Sequence, residues 1–199
     1  MADVMRSLSI PESKHVQEIP LGGAAKEALK LASQKGVKLV LIEAHAVNLY
    51  SGKPRHSVDV DFIADKPELL GAIEGLTVEN HDDVVRYVDG SGSEVLDFVR
   101  PNNALMRHVL KTAKPHKSML VPDVESLLAL KYQSMTTLSR KYADRHQDAV
   151  DFRRVAENNR SVLDRNKLNT IGELLGKGIG KALLDDVDNA LNNRPIEIP

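Results

Sequence analysis

Two aspartates separated by a single residue, Asp59 and Asp61, carry the clearest chemical signal in this sequence of 199 residues. They alternate with Val58, Val60 and Phe62. In a β-strand successive side chains point to opposite faces, so both carboxylates would share one face while the apolar residues enter the core. Adjacent carboxylates repel each other, and Mg²⁺ prefers oxygen ligands, usually one or two carboxylates together with substrate phosphates. The pattern predicts a divalent-cation site, with a solvated acidic sheet face as the alternative.

A third carboxylate, Asp97, lies on a later segment that is rich in β-forming residues. Residues 84–88 and 94–99 are two such runs, and a glycine-containing loop at 89–93 separates them. A loop of that length between two β-rich runs predicts a hairpin. Asp97 stands between two apolar residues, so the strand would point its carboxylate away from the core. This residue is either a third member of the cation site or an ordinary polar residue on an exposed face.

Residues 39–63 combine an apolar strand, a short helix, a basic turn and a second strand with the Asp-x-Asp pair. This order resembles the first motif of the nucleotidyltransferase superfamily that includes DNA polymerase beta. More narrowly, it resembles the bacterial minimal nucleotidyltransferases and the AbiEii-type toxins of abortive-infection systems. The residues that carry the resemblance are Ala46-Val47-Asn48-Leu49-Tyr50, Pro54-Arg55, Ser57 and Asp59-Val60-Asp61. The family ends its first strand with Gly-Gly or Gly-Ser, whereas this chain has Glu43-Ala44 there.

The resemblance implies an enzyme that binds a nucleoside triphosphate with Mg²⁺ or Mn²⁺ and transfers the nucleoside monophosphate to a hydroxyl group. It implies that Asp59, Asp61 and Asp97 are catalytic metal ligands, with Asp97 at the place of the family's third aspartate. Arg55 and Ser57 precede the metal strand, where they would steady the phosphates, and a guanidinium suits a bidentate phosphate contact. AbiEii-type relatives imply tRNA as the acceptor and a cognate antitoxin as a partner. Minimal nucleotidyltransferases imply an antibiotic or a protein as the acceptor.

A second part of the resemblance lies in the C-terminal half of the chain. Residues 121–131 and 140–148 look like the Lys-then-Asp helical motifs of AbiEii-type proteins. The resemblance implies that Lys131 contacts the nucleotide phosphates and that Asp144 or Asp148 belongs to a polar cluster beside the site. From spacing alone, Asp144, Asp148 and Asp151 stand at i, i+4 and i+7 and so share one helical face. The other interpretation of this acidic face is a set of surface ion pairs, each of which contributes little to stability.

The departure at Glu43-Ala44 favours a function of a different class. Glycines at this point let the backbone approach a triphosphate closely, whereas a Cβ and an extra carboxylate would obstruct and repel it. The alternative to an enzyme is therefore a catalytically degenerate nucleotidyltransferase fold that acts as a binding or regulatory module. Retention of Asp59, Asp61 and Asp97 together argues against such decay.

The pattern along the chain predicts an α/β fold with a small mixed sheet, followed by helices only. Helices are predicted at 24–36, 66–73, 103–112, 143–156 and 181–192, with another that Asp123 caps; further strands are predicted at 38–42 and 118–121. The sequence therefore predicts a nucleotidyltransferase-like α/β domain over residues 1–121 and a C-terminal helical domain over residues 122–199.

Composition limits the class of protein. With 42% hydrophobic residues the chain can bury a core, and it has no cysteine, which excludes disulfides, thiolate zinc sites and cysteine nucleophiles. No apolar run approaches the roughly 20 residues that span a bilayer. Residues 1–6 lack the apolar segment of an export signal. These observations predict a cytoplasmic protein that does not enter a membrane.

Charge is unevenly distributed although the formal net charge is −1. Residues 1–98 contain 10 Lys/Arg and 16 Asp/Glu, whereas residues 99–199 contain 17 and 12. The segment 100–117 contains five Lys/Arg residues and no acid. A basic half beside an acidic, metal-holding half suits a polyanion such as a nucleoside triphosphate or an RNA end. A solvated helix face explains the basic segment equally well.

A glycine-rich segment, Gly176-Lys177-Gly178-Ile179-Gly180-Lys181, resembles two phosphate-binding motifs. It is not a Walker A motif, because no strand precedes it and no Ser or Thr follows the lysine. It also resembles the turn of a helix-hairpin-helix, whose backbone amides hold a nucleic-acid phosphate. An ordinary link between two helices is the favoured interpretation.

Overall fold

The computed structural model describes residues 21–199. The helices are α1 (Gly23–Lys35), α2 (Glu43–Tyr50), α3 (Ala104–Thr112), α4 (Val124–Thr136), α5 (Tyr142–Asn158), α6 (Arg165–Gly172) and α7 (Ile179–Leu191), with a 3₁₀ turn at Pro67–Leu69. The strands are β1 (Leu39–Leu41), β2 (Val60–Ala64), β3 (Thr77–Asn80), β4 (Val84–Val88), β5 (Glu94–Val99), β6 (Lys114–His116) and β7 (Met119–Val121).

The strands form one mixed sheet in the order β3-β4-β5-β2-β1-β7-β6. Strand β2 pairs antiparallel with β1 and parallel with β5, and β1 pairs parallel with β7. Helices α4 to α7 follow the last strand. The prediction of an α/β fold with a small mixed sheet and a helical C-terminal part is confirmed.

Alternation along the strands directs the side chains of the sheet into two apolar clusters. Phe62 and Phe98 join the cluster that α1 covers, whereas Val40 and Ile63 join the cluster formed with the later helices. The second cluster contains residues from both sides of the predicted domain boundary at residue 121, where β7 ends. One apolar core therefore continues from the sheet into the helical part.

The predicted hairpin is confirmed, and its turn is built by a side chain. Strands β4 and β5 are antiparallel neighbours. Between them the Asp89 carboxylate accepts hydrogen bonds from the backbone N–H groups of Ser91 at 2.8 Å and Ser93 at 3.0 Å. Gly92 adopts φ +80°, in the left-handed region that favours glycine. This turn fixes the register of β4 against β5.

Asp123 caps α4 as predicted, since its carboxylate accepts a hydrogen bond from the Ser126 N–H at 2.9 Å. The predicted helix at 66–73 is wrong, because only Pro67–Leu69 forms a 3₁₀ turn. Gly71 ends that turn with φ +74°, and its carbonyl accepts a hydrogen bond from the Tyr87 hydroxyl at 2.6 Å. Three short elements, β3, β6 and α6, are absent from the sequence prediction.

None of the helices within residues 21–199 combines the length and the apolar character that crossing a bilayer needs. The predicted lack of an export signal concerns residues 1–6, which lie outside the described residues.

Candidate active site

Three charged side chains form a row across the middle of the sheet. Asp97 on β5 lies in register with Asp61 on the parallel strand β2 and with Arg86 on the antiparallel strand β4. On the opposite face of the same strands, the Phe62 and Phe98 rings stack with centroids 5.7 Å apart. The apolar face anchors the strands in the core and leaves the charged row on the other face.

Asp59 joins this row from just outside the strand. Strand β2 begins at Val60, so Asp59 lies in the bend before it. Its Oδ1 accepts a hydrogen bond from the Ser57 hydroxyl at 2.7 Å, which orients the carboxylate. The expectation that Val58 enters the core is wrong: its exposed fraction is 74%, because it precedes the strand. Val60 and Phe62 are buried as predicted.

A cleft of about 880 Å³ lies between this face of the sheet and helices α4 and α5. Five of the six predicted site residues line it: Arg55, Ser57, Asp59, Asp61 and Asp97. Its other charged lining residues are Glu43, Asp83, Arg86, Glu94, Arg140, Asp144 and Asp148. The sixth predicted residue, Lys131, is buried behind the cleft with 1% of its side chain exposed.

Asp61 is the carboxylate most affected by this clustering. Burial raises its pKa well above the ordinary value, and the negative charges of Glu43, Asp59 and Asp97 raise it further. Lys131 opposes this increase but does not cancel it. The surroundings of Asp61 are therefore short of positive charge, as expected for a carboxylate that binds a cation.

Asp97 is held by a protein cation. Arg86 donates to its carboxylate from Nε at 2.9 Å and from Nη2 at 2.7 Å, a bidentate pair, and also contacts Glu94. Within residues 21–199, no group of three or more His, Cys, Asp or Glu side chains is arranged to hold a metal ion. Asp59 and Asp61 fit a divalent cation that takes its other ligands from substrate phosphates. Metal binding by Asp97 stays a prediction.

Lys131 lies at the centre of a buried ionic cluster. Its ammonium donates to Asp148 Oδ1 at 2.8 Å and to the Glu43 carboxylate, and it lies 3.7 Å from Asp151 Oδ2. Burial alone would lower the pKa of Lys131, but Glu43 and Asp148 raise it above the ordinary value. The lysine is therefore charged and paired with protein carboxylates, and its contact with phosphates stays a prediction.

Two arginines complete the cluster from the side of the cleft. Arg140 Nη2 lies 3.2 Å from Asp148 Oδ2, and Arg55 donates to Asp151 Oδ2 from Nε at 3.1 Å. Asp148 and Asp151 are buried, so their ion pairs are not the surface ion pairs that the alternative interpretation of this acidic face predicts. Asp144 is exposed and lines the cleft. Helix α5 thus fixes Arg55 and Lys131 through adjacent turns.

Glu43 is the first residue of α2 and stands where the resembled nucleotidyltransferases have a glycine. It has φ +51°, a left-handed conformation that is uncommon for residues other than glycine. Burial would raise its pKa, but Lys131, followed by Arg140 and Arg55, lowers it below the ordinary value. The backbone thus keeps a conformation suited to glycine, while the side chain is an ionised partner of Lys131.

Two features of the site are not predicted from the sequence: Arg86 and the pairing of Glu43 with Lys131. Arg86 interrupts an apolar strand between Val85 and Tyr87, and the hairpin places it opposite Asp97. The register of the predicted hairpin is therefore a signal from which Arg86 could be found. The Glu43 contact joins α2 to α4 and has no comparable local signal.

The glycine-rich segment is a structural turn. The Glu173 carboxylate accepts hydrogen bonds from the N–H groups of Gly178 at 3.0 Å and Gly180 at 3.1 Å. These are the amides that a helix-hairpin-helix would offer to a phosphate, and here an internal carboxylate occupies them.

In the basic segment 100–117, Arg107 and Lys111 are exposed on α3.

No protein-family model matches this sequence, and no curated protein matches it at a significant level. The chain is similar in structure to an antigenic nucleotidyltransferase-like protein from Paracoccidioides brasiliensis, with 19% identity, coverage of 86% of this chain and 91% of that chain, and a TM-score of 0.46. It is also similar to JHP933 from Helicobacter pylori, with 13% identity, coverage of 85% and 90%, and a TM-score of 0.46. These identities and TM-scores are low, so the similarity extends no further than the fold.

Proposed function

We propose that this chain is a divalent-cation-dependent nucleotidyltransferase, which transfers a nucleoside monophosphate from a nucleoside triphosphate to a hydroxyl acceptor. The observation that carries the proposal is the in-register pair Asp61 and Asp97, which lines one cleft together with Asp59. The resemblance of residues 39–63 to the first nucleotidyltransferase motif supports the same reaction.

The transfer forms a bond between the acceptor oxygen and the α-phosphorus and breaks the bond from that phosphorus to the β-phosphate oxygen, releasing pyrophosphate. Asp59 and Asp61 would hold Mg²⁺ or Mn²⁺, which neutralises phosphate charge and lowers the pKa of the acceptor hydroxyl. Arg55 and Arg140 line the cleft as cations for the phosphates. Each Asp97 oxygen keeps a further lone pair beside its bond to Arg86, so Asp97 can accept the acceptor's proton.

The acceptor is a tRNA, a protein or a small molecule in this proposal. The acid-free segment 100–117 supports a polyanionic acceptor, because α3 borders the cleft through Met106 and exposes Arg107 and Lys111. The narrower resemblance to AbiEii-type toxins, with a cognate antitoxin as partner, stays a prediction.

A second candidate function is a catalytically degenerate binding or regulatory module. Two observations favour it: Arg86 occupies Asp97 bidentately, and Glu43 occupies Lys131. Both pairs satisfy, within the protein, groups that an active enzyme would direct at cation and phosphate. A module of this kind would bind a nucleotide without releasing pyrophosphate.

Isothermal titration with each nucleoside triphosphate in Mg²⁺ tests the proposal. Wild type should bind one of them, and the double variant Asp59→Asn, Asp61→Asn should lose about tenfold or more in affinity, because two charged ligands are removed. The matched control is Glu74→Gln with Asp82→Asn, which makes the same change in net charge at exposed residues outside the cleft. Equal affinities of the two double variants would reject the proposed site.

Pyrophosphate release then separates the two candidate functions. Mg²⁺-dependent release in the presence of an acceptor supports the enzyme, whereas tight binding without release across RNA, protein and small-molecule acceptors supports the binding module. If none of the nucleoside triphosphates binds with Mg²⁺ or Mn²⁺, both candidate functions are rejected.

A further inference from the structure

The Glu43 carboxylate lines the cleft and also accepts a hydrogen bond from the buried Lys131 ammonium. Of the three carboxylates around Lys131, Glu43 has the most exposed side chain, at 25%, compared with 4% for Asp148 and 0% for Asp151. Glu43 also lines the cleft, whereas Lys131 does not. Asp148 lines the cleft as well, but Glu43 is the more exposed of the two carboxylates that a ligand from the cleft would meet before the ammonium.

Glu43 is also the carboxylate of this cluster that has no second ion-pair partner. Asp148 pairs with Arg140 as well as Lys131, and Asp151 pairs with Arg55. In the described part of the chain, Lys131 is the sole cation within ion-pair distance of Glu43. Removal of Glu43 from the cluster would therefore leave the other two pairs intact.

The charges of the cluster balance as it stands. Three carboxylates, those of Glu43, Asp148 and Asp151, face the three cations Lys131, Arg55 and Arg140. If Glu43 turns away, the cations among these directly paired groups outnumber the carboxylates by one, and the buried Lys131 ammonium must share Asp148 with Arg140. A buried charge with too few partners is costly. An anion that enters from the cleft would restore the balance.

The conformation of Glu43 fits a group that changes partners. With φ +51° at the first residue of α2, its backbone is in a region that disfavours side chains, so the fold holds it there through surrounding contacts. The contact that its side chain makes is the one to Lys131. Loss of that contact removes an interaction that holds Glu43 in this conformation.

We propose that Glu43 is a displaceable internal counter-ion, which closes a phosphate-binding position at Lys131 until an oxygen of a bound polyphosphate replaces it. The inference rests on the proposed function, since it assigns the phosphate end of the same nucleotide site. No covalent bond changes in this exchange, because one anionic oxygen replaces another at the ammonium.

Binding of inorganic tripolyphosphate in EDTA, without divalent cation, tests the exchange by calorimetry. Glu43→Gln removes the competing charge and should bind tripolyphosphate about tenfold or more tightly than wild type, as expected for one charge-assisted hydrogen bond made available. The matched control is Glu94→Gln. Glu94 lines the same cleft and pairs with Arg86, so this variant changes the cleft charge equally without freeing Lys131.

A second comparison tests whether Lys131 is the group that becomes available. The double variant Glu43→Gln, Lys131→Met keeps the balanced pairs of Asp148 with Arg140 and Asp151 with Arg55, and it should lose the gain in affinity. Equal gains for Glu43→Gln and Glu94→Gln would overturn the inference, as would a gain that survives in the folded double variant. Thermal unfolding reports whether each variant is folded.

These outcomes are independent of the test of the proposed function. If Glu43→Gln gains tripolyphosphate affinity through Lys131 but the protein binds no nucleoside triphosphate with Mg²⁺, the exchange is supported and the nucleotidyltransferase assignment is rejected. If the protein binds the triphosphate with Mg²⁺ through Asp59 and Asp61 but Glu43→Gln does not bind tripolyphosphate more tightly, the assignment is supported and the exchange is rejected.

Discussion

Asp61 and Asp97 lie directly opposite each other on the parallel strands β2 and β5, and both line the same cleft. Neighbouring residues of paired strands point to the same face, so the register by itself brings the two carboxylates together. Arg86 continues the row on β4 and forms an ion pair with Asp97, whereas no cation among residues 21–199 forms an ion pair with Asp61. The two carboxylates therefore differ: Asp97 has a cationic partner within the described residues, and Asp61 is surrounded mainly by other carboxylates.

Replacement of Arg86 by glutamine should destabilise the protein by about 1–3 kcal/mol in EDTA, because the Asp97 carboxylate, with 12% of its side chain exposed, loses its bidentate partner. If Asp97 can act as a metal ligand, Mg²⁺ should restore part of the lost free energy of unfolding. Urea unfolding with and without Mg²⁺ measures both effects. The matched control is Arg100→Gln, because the Arg100 side chain hydrogen-bonds to backbone carbonyls and, within residues 21–199, to no carboxylate. A Mg²⁺ effect of the same size in both variants would exclude Asp97 from the metal site.

The raised pKa of Asp61 predicts the direction of a pH effect on stability. Burial, then Glu43, Asp59 and Asp97, raises this pKa in the folded state. As the pH rises above about 4, the carboxyl ionises in the unfolded chain before it does so in the folded one, so stability is lost up to the folded pKa. Asp61→Asn should therefore be more stable than wild type at pH 7 in EDTA. Urea unfolding should show that this difference disappears towards pH 3.

Mg²⁺ should reduce the advantage of Asp61→Asn, because the cation stabilises ionised Asp61 in wild type and gains nothing from the amide. A stability advantage of Asp61→Asn that is independent of both pH and Mg²⁺ would mean that the Asp61 carboxyl does not have a raised pKa.

The sequence was sufficient to predict that Asp61 and Asp97 point away from the apolar core, because period-two alternation and one hairpin signal are local patterns. The metal-binding and catalytic roles of Asp59, Asp61 and Asp97 stay predictions. The sequence was also sufficient for the α/β class and for the cap of α4 at Asp123. The predicted helix at 66–73 failed because Gly71 adopts φ +74° under a tertiary hydrogen bond from Tyr87. The resemblance predicts that Lys131 contacts the phosphates. In the structure Lys131 pairs with Glu43 and Asp148, and this pairing depends on the packing of α2, α4 and α5, which no local pattern encodes.

Close contact of α6 and α7 at Gly180 gives a test of the helical part. A Cβ at Gly180 would lie 2.4 Å from the Asn169 carbonyl oxygen, so Gly180→Ala must push the helices apart. We expect a loss of about 1–3 kcal/mol in the free energy of unfolding, although alanine favours helices. Gly23→Ala is the control, because nothing lies within 4 Å of an added Cβ there. Chemical denaturation of both variants checks this prediction, and equal stabilities would contradict the helix contact.

In the proposed site, Asp59 and Asp61 together hold a divalent cation with a nucleotide. Electron paramagnetic resonance of Mn²⁺ with a non-hydrolysable nucleoside triphosphate measures this directly, because the signal of free Mn²⁺ falls as the ion binds. Wild type should lower the free Mn²⁺ signal well below the level set by the nucleotide alone. The double variant Asp59→Asn, Asp61→Asn should remain at that level. Equal Mn²⁺ binding by the two proteins would mean that Asp59 and Asp61 do not hold the cation.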